Sequence, residues 1–252
     1  MSVGFLEADW LAPPGVRAGC TLRSGGVSAA PYASLNLGTH VSDEPAAVAE
    51  NRQRVRATLQ LPAEPLWLQQ EHGVRVIDAD LPGEPGPADG AVTRLGGHVL
   101  AILVADCMPV LFASQDGSVL AAAHAGWRGL AAGVLEATVA AMDVDPKGLS
   151  CWTGPHIGPD HFEVGDAVRA AFVALDERAT TAFKVNARGR WQCNLNLLVR
   201  QRLDALGVEH VTSAGVCTHS QAAQCFSYRR DGRTGRMAAL LWRQGAAPQG
   251  AC

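Results

Sequence analysis

Hydrophobic positions in the middle of the chain form three dense runs, at 99–106, 109–114 and 118–125. The runs are rich in Val, Leu and Ala and alternate poorly with polar residues. Such runs are typical of strands that are buried on both faces. Asp116 and Gly117, between the second and third runs, indicate a hairpin turn.

Elsewhere the apolar residues recur with helical spacing. The predicted helices span about 45–59, 126–141, 164–175 and 194–207. Pro45 suits the first turn of the first helix, where no N–H is required, and Ser42 or Asp43 is its predicted N-cap. Asn194 is the predicted cap of the last helix, and Gly207 is its predicted stop.

Shorter patterns predict the remaining strands, at 16–23, 66–80 with a turn at Gly73, 211–216 and 236–243. The elements do not alternate cleanly between strand and helix, which favours an α+β sandwich over a doubly wound sheet. The loosest stretch, 81–90, is too short to separate domains. One domain over residues 1–252 is therefore predicted.

Composition and charge narrow the class of protein. With 252 residues, 48% hydrophobic and 18% charged, the chain is typical of a folded globular protein. Its 21 basic and 24 acidic residues give a net charge of −3 without a block of like charge, which argues against nucleic-acid binding. The start of the chain has no basic region before an apolar run, and the longest apolar run is cut at Asp106. We expect a cytoplasmic protein with no membrane partner.

The seven cysteines are scattered, odd in number and free of any C-x-x-C pair, which predicts reduced thiols. Among them Cys107 follows a predicted strand, as His124 ends one, and His72 lies beside a turn glycine. If these three side chains meet, they form a zinc site whose open fourth position is typical of catalytic zinc. Two alternatives stay open: ordinary core packing, or a Cys107 nucleophile with His124 as its base.

Two glycine-containing loops carry arginines. Gly126 and Gly129 flank the start of a predicted helix, where free N–H groups favour an anion, and Arg128 adds a charged fork. The loop R-S-G-G-V-S offers Arg23 in the same way. The arginines of F-S-Y-R-R-D-G-R-T-G-R are interpreted as a solvated hairpin.

Further polar residues have less distinct patterns. His156 and His161 lie in a proline-containing loop, where packing is favoured over a metal pair. Asp106 is predicted to point away from Cys107, because neighbours on a strand face opposite sides. Four acids are candidates for proton transfer, and the sequence does not rank them: Asp78, Asp80, Asp89 and Asp106.

Taken together, the segments resemble the YfiH-type family over about residues 16–243. The segments that carry the resemblance are, in order, RSGGVS, PYASLNLG, SDEPAAVAENR, QQEHG, ADGAVT, VADCMPVL, AHAGWRGLAAG, GPHIGPDHFEVG and FSYRRDGRTGRMAAL. That family has been labelled multicopper polyphenol oxidase (laccase) and is described as purine nucleoside phosphorylases, with a peptidoglycan-editing role for some bacterial members.

The resemblance implies a four-layer α/β/β/α sandwich with mixed sheets, likened to cysteine hydrolases. It implies zinc, with copper as second choice, held by catalytic His72, Cys107 and His124. It also implies phosphorolysis of adenosine, inosine and methylthioadenosine, with deamination of adenosine. Arg23 matches the family's arginine, and with Arg128 it is expected to hold phosphate. A nucleoside and phosphate are the expected partners of a monomer or homodimer.

Two rival functions stay open. One is a hydrolase that removes misincorporated cell-wall precursors such as UDP-MurNAc-L-Ser, through the same metal or a Cys107 thiolate. The other is a zinc-stabilised binding module without catalysis, in which His156 or Cys225 closes the site. Laccase chemistry is not expected, because the eight histidines contain no H-x-H pair of the kind that multicopper sites use.

Overall fold

Residues 2–83 and 86–244 are described by a computed structural model, in which the strands form three sheets. The strands are β1 (Phe5–Glu7), β2 (Val16–Thr21), β3 (Leu66–Trp67), β4 (Val76–Asp78), β5 (Gly90–Thr93), β6 (Val99–Val104), β7 (Met108–Ser114), β8 (Leu120–Ala125), β9 (Leu149–Thr153), β10 (Glu163–Val164), β11 (Phe183–Val185), β12 (Trp191–Cys193), β13 (His210–Ser213) and β14 (Met237–Arg243). The helices are α1 (Pro45–Leu59), α2 (Trp127–Ala132), α3 (Val134–Met142), α4 (Asp166–Val173), α5 (Leu195–Ala205) and α6 (Tyr228–Asp231).

Two large mixed sheets form the centre of the fold. One has the order β1-β2-β14-β6-β3 and the other the order β13-β9-β7-β8-β5-β4. The pairs β3–β6, β4–β5 and β9–β13 are parallel, and the other pairs in these two sheets are antiparallel. A small antiparallel sheet, β10-β12-β11, has no strand in common with them, but Val164, Phe183 and Cys193 pack into the same core as β7 and β8.

The layers follow from alternation along the central strands. In β6, Ala101 and Leu103 belong to the core shared with α1, whereas Leu100 and Ile102 face the other sheet. Strands β7 and β8 divide their residues in the same way between the inter-sheet core and the core beneath α2 to α5. The result is the predicted α/β/β/α sandwich, and both faces of these strands are buried as predicted.

The strongest helix predictions are confirmed. Helix α1 begins at Pro45, although its N-cap is Glu44 and no side chain caps it, so the prediction of Ser42 or Asp43 is wrong. The Asp43 carboxylate accepts hydrogen bonds from Ser28 and Asn36 instead. At α5 the predicted cap is present, since the Asn194 side chain accepts from the Leu197 N–H. Gly207 follows with a φ of +84°.

The predicted helix from 126 to 141 is two helices. Gly133 separates α2 from α3 with a φ of +104°, a left-handed conformation that ends α2 and that glycine adopts readily. The predicted hairpin between β7 and β8 is present, with Gly117 at a φ of +71°. No helix within the described ranges is both long and apolar enough to cross a bilayer.

The segment 66–80 departs most from its prediction. It forms no hairpin: β3 joins the five-stranded sheet and β4 the six-stranded sheet, so residues 68–75 cross between the sheets. Its left-handed residue is His72, with a φ of +62°, and not Gly73. Strands β1, β5 and β9 to β12 were not predicted, because most of them are short or have no clear apolar period.

Candidate metal centre

Two chain connections meet the end of strand β8 where the two large sheets lie side by side. His72 lies in the segment that crosses from β3 to β4, and Cys107 lies in the connection from β6 to β7. His124 is the penultimate residue of β8. The register of β7 and β8 pairs Met108 with Ala125, which brings Cys107 beside the end of β8. The fold thus brings together all three ligands proposed from the sequence.

Their geometry fits a metal ion. The ligand atoms of His72, Cys107 and His124 all lie within 4.8 Å of one another, and Cys107 Sγ is 3.8 Å from His72 Nε2. A tetrahedral zinc with ordinary bond lengths places a sulfur and a nitrogen ligand about 3.6 Å apart. His124 is buried, Cys107 is half-buried and His72 is exposed, so one side of the cluster opens to solvent.

A carboxylate orients the buried imidazole. Asp89 immediately precedes β5, is 1% exposed, and lies opposite His124 in the sheet. His124 Nδ1 is 2.7 Å from Asp89 Oδ1, so Nδ1 carries the proton and Nε2 is left to bind a metal. Burial would raise the pKa of Asp89, but the hydrogen bonds from His124 and from backbone amides lower it below its ordinary value.

The same carboxylate holds the loop of the exposed imidazole. The backbone N–H groups of Glu71, His72 and Gly73 all donate to Asp89, at 3.0, 2.9 and 2.7 Å. Successive N–H groups of this kind form a concave anion site. They stabilise the left-handed backbone of His72, a conformation that costs a non-glycine residue free energy. The sequence alone does not distinguish Asp89 from the other three candidate acids, because its role depends on tertiary contacts.

Gly126 and Gly129 serve the site in a way that the sequence did not reveal. A Cβ on Gly126 would lie 2.8 Å from His72 Cδ2 and 3.0 Å from Cys107 Sγ, too close for either side chain to keep its place. A Cβ on Gly129 would lie 2.8 Å from the carbonyl oxygen of Gly73. Both glycines therefore permit close approach between α2 and the ligands.

The electrostatics favour an ionised thiol. Burial opposes ionisation of Cys107, but the positive charge of His124 and the hydrogen bonds from both imidazoles lower the pKa of Cys107 to about 6. Burial opposes protonation of His124 too, yet the Cys107 and Asp89 charges raise its pKa to about 9. At the other buried thiols no imidazole outweighs burial, which raises the pKa values of Cys20, Cys151, Cys193 and Cys225.

None of the six described cysteines forms a disulfide, and Cys252 lies outside the described residues. This agrees with the predicted reduced thiols for that part of the chain. Cys107 is thus the only described cysteine that lies between two imidazoles. A thiolate in this position is a metal ligand and also a nucleophile.

The two predicted phosphate-binding arginines make no hydrogen bond to the three ligands. Arg23 donates to the carbonyl oxygens of Ala33 and Ala222 and stacks on Phe226, 4.8 Å from the ring centroid. Arg128 is exposed and stacks on Trp127 at 4.5 Å. Neither forms a salt bridge with a described carboxylate, so each keeps an unneutralised positive charge. Helix α2 has only six residues, so it offers little dipole for an anion.

Other candidate residues lie outside the cluster. The buried His156 places Nδ1 2.9 Å from the Gly154 carbonyl oxygen, and His161 stacks on His219 at 4.1 Å, so the two do not form a metal pair. Among described residues, neither His156 nor Cys225 joins the three ligands.

The prediction that Asp106 lies on a strand beside Cys107 is wrong. The residue lies in the turn before β7, not on a strand, and has a φ of +105°. Its carboxylate accepts hydrogen bonds from the Thr218 hydroxyl and the Arg229 N–H. Each oxygen of the Asp106 carboxylate therefore accepts one hydrogen bond, and the two bonds tie Thr218 and Arg229 to the β6–β7 turn.

Most of the chain matches a known family of proteins. A family model described as multi-copper polyphenol oxidoreductase laccase matches residues 17–244. The purine nucleoside phosphorylase YfiH of Escherichia coli (strain K12) is 47% identical over 241 residues, which are 94% of this chain and 98% of that protein. The chain belongs to the YfiH family.

Other YfiH-family proteins cover the chain equally well. A purine nucleoside phosphorylase of Pseudomonas aeruginosa is 52% identical over 95% of this chain and 98% of its own. A crystal structure of a Neisseria meningitidis protein has a TM-score of 0.92 at 46% identity, over 96% of this chain and all of that one. The YfiH structure from Bacillus licheniformis has a TM-score of 0.85 at 29% identity, over 90% of this chain and 92% of its own. The fold is that of the YfiH family.

The multi-copper description of the YfiH family model does not suit this site. Copper chemistry with several ions requires several ligand clusters, and imidazole is the usual ligand. The described residues contain one cluster of three or more His, Cys, Asp or Glu side chains with ligand atoms this close. Its three ligands are enough for a single ion.

Proposed function

We propose that this chain is a purine nucleoside phosphorylase that holds zinc through His72, Cys107 and His124. The observation that carries the proposal is the three-ligand cluster, buried on one side and open to solvent on the other. Relatives that are 52% and 47% identical over nearly the whole chain carry the name purine nucleoside phosphorylase. The unpaired described thiols suit an enzyme of the reducing cytoplasm.

The reaction transfers a ribosyl group to phosphate. The bond between the ribose C1′ and the purine nitrogen breaks, a bond forms between C1′ and a phosphate oxygen, and the purine leaves with a proton. The expected substrates are adenosine, inosine and methylthioadenosine. Each gives its free base, with ribose 1-phosphate from the first two and 5-methylthioribose 1-phosphate from the third. Because charge builds up on the sugar and on the leaving purine, fixed charges in the site would contribute most of the rate.

Arg23 and Arg128 are assigned to phosphate. Arg23 uses three of its N–H groups on two carbonyl oxygens, which leaves two of the five in a guanidinium for a ligand. Arg128 makes no hydrogen bond to a described residue, and its stack on Trp127 holds the guanidinium at the surface near Gly126. A bound zinc supplies a Lewis acid with an open coordination position.

Product analysis tests this function. The protein is incubated with each nucleoside, with and without phosphate, and the free base and the corresponding sugar 1-phosphate are measured. Phosphate-dependent release of base is expected, and Cys107→Ala should remove bound zinc and turnover together. The absence of any free base from all three nucleosides, in zinc-loaded protein, would refute phosphorolysis. Retained turnover in Cys107→Ala would refute the metal-dependent mechanism alone.

Deamination of adenosine is a second activity of the proposed site. It requires a carboxylate that carries protons, but Asp89 and Asp106 are both occupied by hydrogen bonds. Glu71 directly precedes His72, is exposed, and its carboxylate accepts only from the Gln69 amide among described residues. Glu71→Gln should abolish inosine formation from adenosine while base release continues; unchanged inosine formation would exclude Glu71 from this role.

One observation favours hydrolysis as an alternative. Asp89, His124 and Cys107 follow the order of a carboxylate–imidazole–thiolate triad, the arrangement of nucleophilic cysteine enzymes. Such a site would suit a cell-wall precursor such as UDP-MurNAc-L-Ser. Protein that remains active without metal, and that an alkylating agent inactivates at Cys107, would support this alternative against the zinc enzyme.

A non-catalytic zinc module is less well supported. Such a module needs a fourth protein ligand, and the described residues supply none within the cluster, since His156 and Cys225 lie elsewhere. Zinc with four protein ligands would have no position left for a small anion. Spectroscopic titration of cobalt-substituted protein with azide or phosphate distinguishes the two, because only an open site responds.

A further inference from the structure

We propose that Asp89 is the positioning residue of the metal site, and that its one carboxylate sets the orientation of both imidazole ligands. The inference rests on the proposed metal site and extends it to a residue that touches neither the ion nor the substrate. Asp89 is 1% exposed, so its hydrogen bonds are made within the protein rather than with bulk water.

Four N–H groups converge on this carboxylate. Oδ1 accepts from His124 Nδ1 at 2.7 Å and from the His72 N–H at 2.9 Å. Oδ2 accepts from the N–H groups of Gly73 at 2.7 Å and Glu71 at 3.0 Å. The backbone of Asp89 adds a fifth link, since its carbonyl oxygen accepts from the His124 N–H at 2.7 Å.

Each hydrogen bond has a separate consequence. The Nδ1 contact fixes the tautomer and the ring plane of His124, so that Nε2 faces Cys107 and the ion. The three backbone contacts hold the loop of His72, whose φ of +62° would otherwise relax towards a more common conformation. Because one carboxylate makes all of these contacts, the two imidazoles are positioned as a unit. Cys107 is positioned separately, by the turn that leads into β7.

The amide of asparagine is a close copy of the carboxylate in shape but not in hydrogen bonding. Every partner of Asp89 is a donor, and the NH₂ group of asparagine is also a donor. In Asp89→Asn the NH₂ group replaces one of the two oxygens. In one orientation of the amide it faces the donors of His124 and His72, and in the other it faces the N–H groups of Gly73 and Glu71. The imidazole ligands lose their common support while the side-chain volume stays the same.

The matched control is Asp80→Asn. Asp80 forms a second aspartate–histidine pair, with Oδ1 3.0 Å from His98 Nδ1, and it accepts from the Arg94 N–H at 2.7 Å. Asp80 contacts Thr93 at the far end of β5, whereas Asp89 precedes its start. The same substitution at Asp80 therefore shows the loss that comes from breaking an aspartate–histidine pair away from the metal site. Asp80→Asn should lower stability without changing the metal site.

The experiment measures zinc affinity by competition with a chromogenic chelator, and the absorption spectrum of cobalt-substituted protein. We expect Asp89→Asn to bind zinc about 10- to 100-fold more weakly than wild type, which is the usual loss for such partners, with an altered cobalt spectrum. Asp89→Glu, which keeps the charge but moves it, should bind with intermediate affinity. In wild-type protein, the ¹⁵N spectrum of His124 should show a protonated Nδ1 with or without metal.

Several outcomes would overturn the proposal. Wild-type zinc affinity and an unchanged cobalt spectrum in Asp89→Asn would do so, and so would an equal loss in Asp80→Asn. If Asp89→Asn does not fold, an unprotonated Nδ1 of His124 in wild type refutes the proposal by itself. A wild-type protein that binds no zinc refutes the metal function instead, and the Nδ1 signal then still decides the role of Asp89.

Discussion

Gly126 lies against all three proposed ligands, and replacing it with alanine should weaken metal binding strongly while the fold is kept. Its φ of −66° and ψ of 154° are accessible to any residue, so Gly126→Ala introduces no backbone strain. The effect comes only from the new methyl group, which would lie 2.8 Å from His72 Cδ2, 3.0 Å from Cys107 Sγ and 3.5 Å from His124 Cε1.

The size of the effect follows from these distances. To restore ordinary contact, the His72 ring must move by about 0.6 Å and the Cys107 sulfur by about 0.4 Å or more. Metal sites tolerate deviations of only about 0.2 Å in bond length. We therefore expect zinc affinity to fall at least about 100-fold, the upper end of the losses seen for changes beside metal ligands. The N-cap change at α2 costs about 1 kcal/mol or less.

Two glycine variants serve as controls. Gly148→Ala meets no atom within 4 Å and should change neither zinc affinity nor stability. Gly133→Ala has no clash, but its φ of +104° forces strain of about 1–3 kcal/mol. It should lower the free energy of unfolding and leave zinc affinity unchanged, the reverse of Gly126→Ala.

The assay combines zinc content by mass spectrometry, chelator competition and urea unfolding of the metal-free proteins. Gly126→Ala that binds zinc with wild-type affinity would refute the reasoning, because the new methyl group must displace the His72 ring and the Cys107 sulfur. A loss of zinc in Gly126→Ala accompanied by an equal loss in Gly133→Ala would show that general destabilisation, and not the clash, is responsible.

Three further predictions concern stability. Asn51→Ala should lower the free energy of unfolding, measured in urea, by roughly 3 kcal/mol. The Asn51 side chain is fully buried and is hydrogen-bonded to four loop groups, and its removal leaves the Val27 N–H without an acceptor. A loss below about 0.5 kcal/mol would contradict this. Zinc at about 100 times its Kd should stabilise wild type by about 2.7 kcal/mol and leave Cys107→Ser unchanged. Hydrogen bonds from Ser114 and Ser118 lower the pKa of Asp116 to about 2, so their contribution is present above about pH 4 and is lost as pH falls towards 2; acid unfolding of Asp116→Asn should therefore show a smaller loss than wild type over this range, and parallel curves would refute the assignment.

Much of the fold can be predicted from local patterns. The apolar runs around β6, β7 and β8 are long enough to identify strands buried on both faces. Pro45 and Asn194 mark helix starts through requirements that act within a few residues. The four-layer order came from resemblance rather than periodicity, since apolar period alone does not state which sheet a strand joins. The pattern over 66–80 shows this, because its two strands enter different sheets.

The site divides in the same way. The sequence by itself determined the kinds of ligand, because two imidazoles and a thiol are metal-binding groups wherever they lie. Only the tertiary structure decided that His72, Cys107 and His124 meet, and that Asp89 rather than its neighbouring acids supports them. It also decided that Gly126 leaves room for the three ligand side chains to approach one another. These facts depend on strand register and on two crossings between sheets, which are set by burial of the whole core and not by any local run of residues.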